Sequence, residues 1–247
     1  MKRTSRHLIW LWLLMSLVWP AGHALLAQSR SVYVLPAVGS INPGLADFII
    51  EGIHTAEQEK AYALVIELDT PGGLDTSMRA INQAIINAKV PIIVYVSPKG
   101  ARAASAGMFI TLAADVAAMA PGTNIGAAHP VSVGMGKVDQ VMGKKIENDA
   151  AAYARSLAEE RGRNAEWAEK VVRQSVSIDA KTAQKLKVVD LLADNLEDLL
   201  KQLNGREVKV DKEKVVLKTL GVQVKTVQES LRTRVLKTIA DPTSLLS

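Results

Sequence analysis

The sequence contains no cysteine. That excludes disulfides, thiolate nucleophiles, iron–sulfur clusters and cysteine-type zinc sites. Aromatic residues make up only 4% of its 247 residues, too few for a base-stacking nucleic-acid platform. Histidine is scarce, with four in all, and the two beyond residue 27 that can be considered for chemistry are His54 and His129. Neither sits in an HExxH or another tight ligand spacing, so metal catalysis has no foothold. Neither GxxxxGK[ST] nor GxGxxG occurs, so nucleotide chemistry has little support. No cofactor is called for.

What is present is a large apolar fraction, 48%, with 22% charged residues. Such a chain builds a substantial core and is not disordered. The formal charge of +5 is unevenly spread. Lys2, Arg3 and Arg6 precede an apolar run from Leu8 to Trp19, followed by Pro20 and the small-residue stretch AGHALLA. This is the three-part pattern of an export signal at residues 1–27, with cleavage after Ala24 or Ala27. The competing reading is a retained anchor, although the run is short of the about 20 residues a spanning helix needs. Removing those three bases leaves 27 bases against 25 acids. Residues 206–238 hold nine bases and four acids, so the body between is close to neutral.

That body alternates strands and helices. SVYVLPAVG (31–39), YALVIEL (62–68) and PIIVYV (91–96) read as strands. Leu45, Phe48, Ile49 and Ile53 recur at helical spacing, as do Met78, Ile81, Ile85 and Ile86. SPKGARAA reads as a loop and SAGMFITLAAD as an apolar helix. A long helix is expected from Lys144 to Arg161, with Ile146, Ala150, Tyr153, Ala154 and Leu157 as its stripe. Near-continuous apolar strands between helices predict an α/β domain with a largely parallel sheet over residues 28–205. Residues 206–247 change character and read as a small C-terminal strand and helix appendage.

One nucleophile stands out. Ser105 lies in ARAASAGMF, among small residues and just before the apolar helix. Small neighbours let a substrate backbone approach, and a helix start offers free N–H groups and positive potential. The Ala106 amide is placed to hold an oxyanion, with Gly72 or Gly73 of DTPGG as second donor. The plain alternative is that Ser105 only caps its helix.

DTPGG, GARAASAGMFITLAADVAAMAPGTNIGAAHPV and KKIENDAAAYARSLAEERGRN, in that order, resemble the N-terminal domain of NfeD-type, stomatin-operon-partner membrane serine proteases. The resemblance covers about residues 31 to 200. It implies a Clp-protease/crotonase-like fold of stacked β-β-α units, and a Ser–Lys dyad. The family's serine falls on Ser105, its lysine on Lys145 with Lys144 as neighbour, and its oxyanion glycine on the Gly72–Gly73 pair, Gly73 preferred. A lysine acts as base only when neutral, which burial promotes. The stem of Lys145 is therefore expected to lie against the core. His129 stands in an AHP context similar to the histidine of Clp triads. The matching acid position falls on Ser175, and Asp179 nearby reads as a helix cap, so His129 is assigned to the substrate side or to structure.

The resemblance further implies an exported, membrane-associated endopeptidase for hydrophobic segments of stomatin-like proteins, self-associated as a dimer or larger oligomer. The alternative from a different class is a non-catalytic module that organises a stomatin-type membrane complex. Crotonase chemistry on acyl-CoA is disfavoured by the export signal.

Overall fold

The computed structural model describes residues 31–130, 139–211 and 213–229. The expected export signal and the terminal helix of the appendage lie outside them, as does part of the loop after His129.

Strand β1 (Val32–Val38) starts the domain. Helix α1 (Pro43–Gln58) follows, opened by Asn42, whose side chain accepts the Leu45 N–H at 2.9 Å, with Pro43 at the first helical position. Then come β2 (Ala63–Asp69), α2 (Asp75–Ile86) and β3 (Ile92–Val96). Strand β4 (Arg102–Ala104) leads directly into α3 (Ala106–Ala113), and β5 (Val116–Met119) and β6 (Asn124–Gly126) precede the long α4 (Gln140–Glu160). The rest comprises α5 (Ala165–Gln174), β7 (Ser177–Asp179), α6 (Ala180–Lys185), β8 (Leu191–Leu192) and α7 (Leu196–Leu203). Last are β9 (Glu207–Val210), β10 (Glu213–Val216) and β11 (Val224–Thr226).

Six strands form one sheet in the order β11-β1-β2-β3-β5-β8, with every pairing parallel. Alternate residues feed two cores, as the two-residue period of a strand requires. Leu35, Leu64, Ile66, Ile92 and Val94 join α1 to α5 on one face. Val32, Val65, Ile93 and Tyr95 join α7 and the β9–β10 hairpin on the other. Burial on both faces is why these strands read as unbroken apolar runs. The parallel α/β expectation holds.

Three local expectations need correction. SPKGARAA is not all loop: β4 pairs in parallel with β6, which pairs antiparallel with β7. Three-residue strands of Ala, Gly and Asn carry too little apolar period to stand out. The long helix begins at Gln140, before Lys144, and its first buried residue is Ala150; Ile146 is exposed. Ile86 is also exposed, because it follows Ile85 by one residue and so turns off the buried face.

Candidate active site

The strands β1, β2 and β3 all point their carboxyl ends to one edge, where an open parallel sheet places its ligands. The DTPGG turn leaves β2 at this edge. Thr70, fully buried, accepts the Gly72 N–H on its hydroxyl at 3.0 Å. The Gly72 carbonyl accepts the Ile41 N–H at 2.8 Å, and Leu74 N–H returns to the Ile41 carbonyl at 2.8 Å. The turn is thus stitched to the chain leaving β1. A Cβ on Gly73 would lie 2.2 Å from the Ile41 carbonyl oxygen, so only glycine fits there. The Gly73 N–H is taken by no acceptor among the described residues, and Gly73 is exposed.

Ser105 stands between β4 and α3 with φ 49° and ψ −114°, a region that glycine dominates. Backbone this strained persists only where the surroundings impose it. Here the Ser105 N–H is held by the Gly126 carbonyl at 2.8 Å, and its own carbonyl accepts the Met108 N–H at 3.0 Å. The side chain makes no capping hydrogen bond to its helix. The capping role that spacing alone allowed is therefore not the one this hydroxyl performs. The Ala106 N–H, at the first helical position, also has no acceptor among the described residues. Ser105 abuts Gly72, where a Cβ would come within 2.6 Å of Ser105 Cβ and 3.2 Å of its Oγ. A partly exposed hydroxyl thus lies within one residue of two uncommitted N–H groups, Gly73 and Ala106.

The far end of the same helix is capped by two guanidinium groups. Arg161 donates to the Ala113 carbonyl at 2.8 Å and pairs with Asp115 at 2.6 Å. Arg163 donates to the carbonyls of Leu112 and Ala114, both at 2.8 Å, and to Asp190 at 2.6 Å. Burial pushes the Arg163 guanidinium down from its ordinary value, against the pull of Asp190. Asp115 is pushed up by burial, with Arg161 opposing.

Lys145 is in the second turn of α4, exposed and without an ion pair among the described residues. The expected packing of its stem against the core is absent, because the first turns of α4 run beyond the core. Exposed Val141 and Met142, one turn earlier, are its neighbours on the helix surface. Lys144 pairs with Glu147 at 3.0 Å. Two turns on, Tyr153 stacks on Phe109 of α3, with ring centroids 5.9 Å apart, and joins α4 to the helix that Ser105 opens.

His129 is exposed, and its Nδ1 donates to the Val172 carbonyl at 3.0 Å. That proton goes to a backbone carbonyl, where a triad would offer a carboxylate. Ser175 ends α5 in the left-handed region at φ 52° and carries no acid. Asp179 caps α6, accepting from Lys181 N, Thr182 N and the Thr182 hydroxyl. Among the described residues no group of three or more His, Asp or Glu is placed to hold a metal.

The reading from sequence missed Thr70 and Gly126, although both lie in motifs it singled out. Their signal was a threonine beside a Pro–Gly–Gly turn and a glycine closing PGTNIG.

The family described as NfeD1b, N-terminal domain, matches residues 31–230. Membrane-bound protease PH1510 of Pyrococcus horikoshii is 40% identical over 215 residues, covering 85% of this chain and 48% of that protein. Membrane protein NfeD1b of Bacillus subtilis is 29% identical over 219 residues, covering 87% and 48%. The chain thus spans about half the length of the curated relatives it matches. Among solved structures, a lysine-to-alanine mutant of the 1510-N membrane-bound stomatin-specific protease, in complex with a substrate peptide, superposes with TM-score 0.78 at 37% identity. It covers 86% of this chain and 99% of that one. A serine-to-alanine mutant of the same protease gives 0.76 at 39% identity, covering 82% and 99%. ClpP1 from Listeria monocytogenes shares the fold alone, with TM-score 0.56 at 19% identity, over 67% of this chain and 94% of that one.

Proposed function

This chain belongs to the NfeD1b N-terminal-domain family, and from that premise we propose that it is an exported serine endopeptidase working through a Ser105–Lys145 dyad. The observation that carries the reading is Ser105 itself. Its backbone is strained, its hydroxyl does not cap the helix it opens, and it adjoins two uncommitted N–H groups.

In the reaction, Lys145 as the free amine takes the Ser105 proton while Oγ attacks the peptide carbonyl. The N–H groups of Gly73 and Ala106 receive the oxyanion, each worth about 3 kcal/mol of barrier when well placed. Gly73 is favoured over Gly72 because the Gly72 N–H is already given to Thr70. The Lys145 ammonium then protonates the leaving amine, and water repeats the sequence on the acyl-enzyme. An exposed lysine needs its water removed to be neutral at moderate pH. An apolar peptide, or a second copy of the chain, seated over Val141 and Met142 supplies that. Exposed Val38 and Leu74 at the sheet edge extend the apolar surface on the Gly73 side. This supports hydrophobic segments as substrate. Solved relatives named as proteases carry a serine or a lysine replacement, one of them with a substrate peptide bound, and this supports the protease reading.

The substrate we propose is a hydrophobic segment of a stomatin-like membrane protein, met at an extracytoplasmic membrane surface. No helix among the described residues is long and apolar enough to cross a membrane. His129 stays a substrate-side or structural residue.

The test is cleavage of stomatin-derived apolar peptides together with labelling by a serine-directed probe. Labelling and cleavage that both vanish in Ser105→Ala support the enzyme. An unlabelled chain that still binds a stomatin-like partner favours the assembly module.

A further inference from the structure

We propose that Arg79 acts as a positioning residue that keeps Lys145 unpaired, by holding Asp149 away from it. This rests on the dyad reading above. Lys145 and Asp149 are four residues apart on α4, so they are surface neighbours, with Cβ atoms about 5–6 Å apart. A lysine paired with such a carboxylate is held as the ammonium, which cannot accept a proton.

The structure sends Asp149 elsewhere. Arg79, on α2, donates from Nη2 to Asp149 at 2.5 Å. It also donates from Nε to Asp75 on its own helix at 2.9 Å. Its guanidinium carbon lies 4.5 Å from the centroid of the Tyr153 ring, a third restraint. Three contacts on two helices fix this guanidinium where a lone surface pair would leave it loose.

The other charges around Lys145 are also committed. Glu147 is held by Lys144 at 3.0 Å and by Arg173 of α5 at 3.2 Å. Arg173 is further bonded to Glu169 at 2.9 Å. Helix α3, packed on α4, contains no charged residue. Asp139, at the helix start, and Glu147 are six and two residues from Lys145 and lie on other faces of α4. With His129 they line a separate cavity of about 310 Å³ to which Lys145 does not contribute. Asp149 is therefore the carboxylate best placed to pair with Lys145 among the described residues. Arg79 is shared between Asp149 and Asp75, so the three groups sum to −1; loss of Arg79 makes this −2 and leaves Asp149 as a free carboxylate one turn from the base.

The experiment is the pH–rate profile for cleavage of an apolar peptide at low ionic strength. Arg79→Gln moves the acidic limb upward by about 0.2–0.4 pH unit, about twofold in rate at a fixed pH on that limb, and leaves the plateau unchanged. Salt at about 1 M erases most of the shift. Arg79→Lys keeps the limb in place, and Arg79→Gln/Asp149→Asn returns it. Arg79→Met, which retains the stem over Tyr153, repeats the shift and serves if the glutamine variant folds poorly. An unshifted limb in Arg79→Gln and Arg79→Met overturns the inference, as does a shift that persists in the double variant. Lys145→Ala, run in parallel, separates the two levels. Retained cleavage there removes the dyad reading and this inference with it. Lost cleavage there, beside an unshifted Arg79→Gln, removes this inference alone.

Discussion

Gly72 faces Ser105 so closely that a Cβ on the glycine would sit 2.6 Å from the Cβ of the serine. The contact fixes what can occupy both positions. Gly72 also has φ +116°, where side chains are strained. Gly72→Ala is expected to lower stability by about 1–3 kcal/mol and to reduce cleavage and serine labelling by at least tenfold. Thermal unfolding beside probe labelling checks this. A variant with wild-type labelling would show that the contact has slack.

Strain at Ser105 gives a second expectation, in which stability and activity move in opposite directions. Ser105→Gly removes the nucleophile and relieves the backbone. Melting temperature should rise, corresponding to about 1 kcal/mol, while cleavage falls by roughly 10³-fold or more. A lower melting temperature would mean that the surroundings do not impose the strain.

The choice of base is tested by substitution. Lys145→Ala should abolish cleavage within detection, whereas His129→Ala should retain most of it. The Nδ1–H of His129 is held by the Val172 carbonyl, not by the carboxylate that a triad uses to orient and stabilise its imidazolium. Cleavage that survives the first change and is lost in the second would reassign the base to histidine.

Arg163 is buried and neutralised mainly by Asp190. Arg163→Met leaves Asp190 without its partner and the carbonyls of Leu112 and Ala114 without a donor. A loss of about 3–5 kcal/mol is expected in chemical denaturation. Activity measured well below the melting temperature should fall as well, because these carbonyls end the helix that Ser105 begins.

Acid should weaken the cap of α6. Hydrogen bonds from the Thr182 hydroxyl and backbone hold the Asp179 carboxyl below its ordinary value. Its folded pKa is lower than its unfolded one. The stabilisation is therefore complete above the ordinary carboxylate range and is lost as pH falls through the depressed value. Asp179→Asn should flatten the acid side of the stability–pH curve. An unchanged slope would assign that side to other carboxylates, such as Glu169, which Arg173 also holds low.

The sequence made the sheet legible because its strands are buried on both faces, leaving runs such as IIVYV with no polar interruption. It made Ser105 conspicuous through its small neighbours and the apolar helix behind it. It concealed the strained backbone at Ser105, since φ 49° at a serine leaves no mark in residue type. It also concealed β4, β6 and β11, whose pairings come from distant segments rather than local period. The exposure of Lys145 is hidden from the sequence for a related reason. Helical periodicity assigns Ile146 to an apolar stripe, but not whether a neighbouring element reaches that far along the helix.

The parallel pairing of β11 with β1 has a directional meaning for the polypeptide as a whole. Val32 aligns with Val224 and Val34 with Thr226. Both segments therefore run toward the edge that holds Gly73 and Ser105. The chain enters the domain at the opposite edge, about 20 Å away along seven residues of β1. After Thr226 it is heading toward the serine-bearing edge. The described chain thus enters β1 on the side away from Ser105 and leaves β11 on the side that holds it.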